Sequence, residues 1–72
     1  MKTRIAICVT VFGQIDSKKL YEELKDLHVN VIDIGKETYV FALVDMRNFN
    51  MNRVLLTCSK YGEVDIECNI VV

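Results

Sequence analysis

The run Ile5 to Phe12, IAICVTVF, holds no charge and shows no alternation between polar and apolar side chains. Its odd positions are Ile5, Ile7, Val9 and Val11, and its even positions are Ala6, Cys8, Thr10 and Phe12. A strand with one wet face alternates with a period of two, whereas a strand buried on both faces reads as a continuous apolar run. This segment therefore asks for a central place in a sheet with something against each face. A chain of 72 residues has material for one covering layer and little more. What covers the second face is the first question that the sequence raises.

The segments that follow supply the one layer. Gly13 and Gln14 make a turn, and Asp16 or Ser17 offers a side-chain oxygen to cap a helix. In SKKLYEELKDLH, Leu20, Leu24 and Leu27 recur at helical spacing, while Lys18, Lys19, Glu22, Glu23, Lys25 and Asp26 take the wet side. VNVIDI, Val29 to Ile34, is β-branched and predicts a second strand. Gly35-Lys36-Glu37 gives a short hairpin turn into TYVFALV, Thr38 to Val44, a third strand without charge on either face. Asn48 and Asn50 are cap candidates for a second helix with Met51, Val54, Leu55 and Cys58 on its apolar stripe, and Gly62 is expected to close it in the left-handed conformation. The last segment, EVDIECNIVV, alternates: Val64, Ile66, Cys68 and Ile70 form a dry face, with Asp65, Glu67 and Asn69 on the wet one.

The order β-α-β-β-α-β predicts a single domain spanning residues 1–72. Its expected class is α+β, a ferredoxin-like sandwich of a four-stranded antiparallel sheet in the order 4-1-3-2 with two helices on one face. Strands one and three, apolar on both faces, then occupy the centre, and the acid-bearing last strand lies at an edge. Leu20, Leu24, Leu27, Val54 and Leu55 cover one face of the sheet. With 51% of the residues apolar, the other face has nothing left in the chain to cover it, and patches of that kind mark contacts. The expected partner is a second copy, a homo-oligomer and most simply a dimer, joined through the uncovered face or the edges flanking it; the alternative is a different protein, with the chain an assembly component that has no small-molecule ligand. Candidate contact residues are Ala6, Cys8 and Thr10 on strand one and Tyr39 and Phe41 on strand three.

Composition narrows function mainly by exclusion. A net charge of -1 provides no general attraction to phosphate backbones. Cys8, Cys58 and Cys68 form an odd set without a C-x-x-C spacing, as expected of reduced thiols in a cytoplasmic protein; Cys58 and Cys68 fall on apolar stripes and are expected to be buried. Lys2 and Arg4 precede an uncharged run that is shorter than the ~18 residues of a membrane span and lacks a cleavage signal, so neither a signal peptide nor a membrane association is expected. The loop FGQIDS carries no pair of thiols for a metal carrier, and no metal or cofactor is expected. Tyr39 and Phe41, at i and i+2, partly imitate the base-stacking platform of RNA-binding domains, but strand one has no mid-strand aromatic and nucleic acid is not the expected partner. No enzyme is expected either. His28 stands at a helix end, Glu63, Asp65 and Glu67 protect an edge strand from aggregation, and Arg47, Arg53 and Lys60, interspersed with Asn48, Asn50 and Asn52, read as a solvated helix face.

The stretch VIDIGKETYVFALVDMRNFNMNRVLL, with its strand, glycine turn, apolar strand, polar turn and helix, resembles the regulator-of-amino-acid-metabolism domain of feast/famine regulators, and EVDIECNIVV resembles the final strand of that domain. The related ACT domain shares the topology; its glycine after strand one is present as Gly13, with Phe12 where ACT domains usually have proline. The resemblance implies a module that dimerises through its sheet and binds an amino acid or related metabolite near a subunit interface. The 72 residues contain no helix-turn-helix, so it implies nothing about transcription. The expected effector site is where Gly13, Gln14, Ile15 and Asp16 lead into the first helix, because a glycine admits a ligand to the backbone and helix N-H groups favour a carboxylate.

Overall fold

The computed structural model describes residues 4–45 and 47–71; Lys2 of the N-terminal segment and Val72 at the end of the expected last strand lie outside them. The chain forms β1 (Arg4–Phe12), α1 (Ser17–Leu24) continued by a 3-10 turn (Lys25–Leu27), β2 (Asn30–Ile34), β3 (Glu37–Asp45), α2 (Met51–Ser59) and β4 (Val64–Val71). All pairings are antiparallel in one open sheet of order β2-β3-β1-β4, an α+β fold with the two charge-poor strands at its centre.

The register decides which face of each strand is core. Ile7 lies opposite Ala42, Val9 opposite Val40 and Val11 opposite Thr38, and all six side chains are buried. Leu20 and Leu24 from α1 and Val54 and Cys58 from α2 close over them. Leu27, Leu55 and Met51 pack at the margin of this core and remain partly accessible. The leucine stripe of α1 and the apolar stripe of α2 thus do what their spacing predicts: each is one face of a short amphipathic helix that is stable because it is packed.

Caps and turns fix the connections. Asp16 accepts the Lys19 N-H at 3.2 Å and Asn50 accepts the Arg53 N-H at 3.1 Å, each satisfying a donor left unpaired by its helix. Gly35, with φ of +64°, and Lys36 make a two-residue turn between Ile34 and Glu37. Positive φ at the first central residue only is the type II′ arrangement, whose twist suits a hairpin.

Three local expectations need correction. The first helix does not run on to His28 in α geometry. It tightens into the 3-10 turn, and His28 itself takes the left-handed conformation, φ 57° and ψ 39°, returning its N-H to the Lys25 carbonyl at 3.2 Å. Gly62 does not adopt positive φ, which among the described residues belongs to Gly13, Gly35 and His28. A glycine is needed at position 62 because a Cβ there would stand 2.6 Å from the Phe12 carbonyl oxygen. Cys68 is exposed rather than buried. It lies on the helix side of β4, but the helices cover this strand only at its start, where Val64 packs against the core, leaving Ile66 40% and Ile70 69% exposed beside it.

Candidate functional site

Three places in the fold gather the residues singled out in the sequence. The first is the sheet face turned away from the helices. Antiparallel partners share a face, so the register lays out its rows: Leu43, Ala6 and Asn69; Phe41, Cys8 and Glu67; Tyr39, Thr10 and Asp65. Asn30 and Ile32 of β2 extend the second and third of these rows. All five residues expected at a contact, Ala6, Cys8, Thr10, Tyr39 and Phe41, are therefore on this one face. Leu43 is 54% and Phe41 40% exposed, with exposed Ile32 and Ile34 alongside. Between the strands runs an open groove of about 520 Å³ lined by Ala6, Cys8, Phe41, Leu43, Asn69 and Val71.

The chemistry of this face is quiet. Burial, and next to it the Glu67 carboxylate, push the Cys8 thiol above its ordinary range, the reverse of what activates a nucleophilic thiolate. The Tyr39 hydroxyl donates to the Glu37 carboxylate, which holds the phenol protonated to higher pH. Asp65 and Glu67 lie across the sheet from Tyr39 and Phe41, so a phosphate backbone stacked over these aromatics would meet carboxylates.

The second place is the entry to α1. Gly13, Gln14 and Ile15 line an open cleft of about 370 Å³ together with Asp33, Gly35, Lys36, Glu37 and Thr38 of the hairpin. Asp16, the fourth residue expected there, is not part of the lining; its carboxylate is committed to the cap of α1. Gly13 has φ of +97° and open space around a hypothetical Cβ, and its N-H donates to the Lys36 carbonyl at 3.0 Å. Its glycine therefore serves the turn, and its amide is occupied. Ile15 packs against the core. Asp33 was not singled out in the sequence, yet it joins three elements: it accepts the Ser17 hydroxyl at 2.5 Å and the Thr38 hydroxyl at 2.6 Å, and these bonds hold its carboxyl below the usual carboxylate range. The available signal was its parity. In VNVIDI, Asp33 is the polar residue on the side shared with Val29 and Val31. The cleft thus carries two carboxylates, Asp33 and Glu37, and one ammonium, Lys36.

The third place is an open cleft of about 1010 Å³ beside α2, lined by Asn50, Asn52, Arg53 and Lys60 together with Glu23, where the basic groups face acids of α1. Arg53 makes a forked ion pair with Asp26, at 2.5 and 2.8 Å, and donates to the Glu23 carbonyl at 2.8 Å, so it ties α2 to the end of α1. Lys60 approaches Glu23 at 3.8 Å, and the Tyr61 hydroxyl donates to the same carboxylate. Arg47 is exposed, with its N-H donating to Asp45 at 3.0 Å. His28 is exposed at its turn, and Cys58 is enclosed in the core, where burial pushes its thiol up to about 11. Among the described residues, no group of three His, Cys, Asp or Glu side chains converges as a metal site, and no helix is long and apolar enough to cross a membrane. Set against family models, curated proteins and solved structures, the chain matches none.

Proposed function

We propose that this protein is a self-associating, non-catalytic binding module of the ferredoxin-like kind, whose open sheet face is closed by a second copy and whose α1 entry cleft takes a small zwitterionic effector such as an amino acid. The observation that carries the reading is the open face: the middle of the two central strands is uncharged there too, with Phe41 and Leu43 left 40% and 54% exposed. Three strands of eight or nine residues and one of five, at ~4.8 Å between strands and ~3.4 Å per residue, give a face roughly 19 Å wide and 30 Å long over its central strands. Its accessible area is of the order that one partner gives up in a standard interface, ~800 Å². In the cleft, the Asp33 and Glu37 carboxylates suit an ammonium group and Lys36 a carboxylate. Three free thiols suit a reducing, cytoplasmic setting.

Native mass by light scattering over a dilution series tests the association: a dimer persisting to low micromolar supports it, and a monomer throughout refutes it. A thermal-stability screen against amino acids tests the effector. A reproducible rise with one compound supports binding, because a ligand of the folded state raises stability by mass action. A flat panel leaves the second reading, an assembly component with no small-molecule ligand. One observation favours that alternative: Asp16 already supplies the negative charge at the α1 N-terminus, and the Gly13 amide is already bonded.

A further inference from the structure

Self-association raises the question of what the sheet edges do, and β4 answers it in unusual detail. β4 is an outer strand of eight residues, and among the described residues only β1 pairs with it. It carries no proline and no lysine, the devices that commonly blunt an edge. The Phe12 N-H donates to the Glu63 carbonyl at 2.9 Å, which sets the alternation: odd residues of β4 turn their backbone groups toward β1, and Ile66, Cys68 and Ile70 turn theirs outward. Those same three residues form the apolar row on the helix side that α1 and α2 leave uncovered.

We propose that β4 pairs antiparallel with β4 of a second copy about a two-fold axis through Cys68, joining two sheets edge to edge with all helices on one side. The choice of register follows from charge and from the length of the strand. Centred on Cys68, the pairing sets Ile66 against Ile70, Cys68 against Cys68 and Glu67 against Asn69, with Asp65 against Val71. Moving the axis one residue back sets Glu67 against Glu67, and two residues back sets Asp65 against Glu67, both like-charge pairs that oppose association; moving it forward leaves Ile66 without a partner inside Val64–Val71 and so loses backbone bonds. The acids that protect a lone edge thus also exclude the backward registers, and the end of the strand excludes the forward ones. Three outward-facing residues per copy give about six new backbone hydrogen bonds, and the three exposed apolar side chains of each copy become a continuous row along the seam. β2 is the poorer edge: it is five residues long and its helix side carries the Asp33 charge. A β4–β2 contact would be heterologous and would build a ring or a filament rather than a two-fold dimer.

The proposal rests on the self-associating reading but names a different surface from the sheet face, and the test separates the two. In a Cys8→Ala background, with Cys58 enclosed in the core, the protein at the concentration where it is dimeric is treated with dibromobimane, whose two bromides are displaced by two thiolates only when the thiols are close. Strand neighbours with Cα atoms ~5.5 Å apart meet that condition. Covalent dimer through Cys68 is expected, and a Glu67→Cys, Cys68→Ser variant, whose thiols fall out of register, is expected to bridge at least about tenfold less. Asn69→Glu places a second carboxylate opposite Glu67, twice per dimer, and should lower bridging about tenfold; adding Glu67→Lys should restore it. A dimer in which Cys68 fails to bridge overturns the edge pairing while leaving face-to-face association intact. Equal bridging at positions 67 and 68 overturns it as well, since collision would then explain the product. A monomer at every concentration refutes both.

Discussion

The two faces of β1 differ modestly in sequence and by nearly everything in environment. On one side Ile7, Val9 and Val11 are sealed beneath the helices; on the other Ala6, Cys8 and Thr10 are only half-buried, between exposed Phe41 and acids of β4. Hydrophobicity and side-chain volume both separate them: the helix side holds isoleucine and valine, which fill a core, and the open side holds alanine, cysteine and threonine, smaller and less apolar, which leave a groove over which another surface can sit. An apolar face on a small domain is thus core or interface according to what the rest of the chain has left to cover it.

That contrast can be broken most forcefully from the core side. Leu24→Ala removes a fully buried side chain beneath the helices and should cost about 3 kcal/mol, enough to bring a domain of this size close to unfolding, as read from the denaturant midpoint. Gly62→Ala is expected to cost about 2 kcal/mol, because its Cβ would fall 2.6 Å from the Phe12 carbonyl; Gly13→Ala, strained in φ but free of neighbours, should cost less, about 1 kcal/mol. Chemical denaturation of the two variants side by side distinguishes close approach from backbone conformation.

On the open face the expected response changes kind. Tyr39→Ser with Phe41→Ser should raise the dissociation constant of the dimer at least about tenfold, as loss of exposed aromatic anchors does, with the fold retained by circular dichroism. Unfolding without prior dissociation would show that the open face belongs to the core after all. At the helix ends, Asn50→Ala should cost about 1 kcal/mol through the lost cap.

The smallest effect is on pH dependence. Asp33 and Asp26 titrate below their ordinary value of 3.8, Asp33 because Ser17 and Thr38 donate to it and Asp26 because Arg53 does. The unfolded chain therefore takes up these protons first as pH falls. The stabilisation is complete above the ordinary value and is lost as pH drops through the lower folded values. Tyr61, raised to about 12 by its bond to Glu23, has the opposite sign: its contribution is whole below pH 10 and fades between 10 and about 12. Thermal melts of Asp33→Asn and Tyr61→Phe should flatten the acid and alkaline limbs respectively.

Much of this was legible in advance, for identifiable reasons. Leucines at i, i+4 and i+7, asparagine and aspartate before a helix, and glycine in a tight turn each act within a few residues, so α1, α2, their caps and the hairpin could be placed from the chain alone. What failed was long-range. The role of Gly62 depends on the carbonyl of Phe12, far back along the chain on β1, the exposure of Cys68 on how far the helices extend across the sheet, and the importance of Asp33 on two hydroxyls that only the folded chain brings to it.

By itself, then, the sequence determined that β1 and β3 are central, that two amphipathic helices cover one face and that a second apolar face remains, because periodicity and burial capacity are properties of the chain. Side-chain size pointed to Ala6, Cys8 and Thr10 as the uncovered set, but the folded packing settled that the odd residues of β1 and the even residues of β3 face the helices. The period of a strand is two and neither parity is charged in mid-strand, so periodicity alone does not choose between them. The choice falls to the register across the sheet and to which set of side chains fills the space beneath Leu20, Leu24 and Val54.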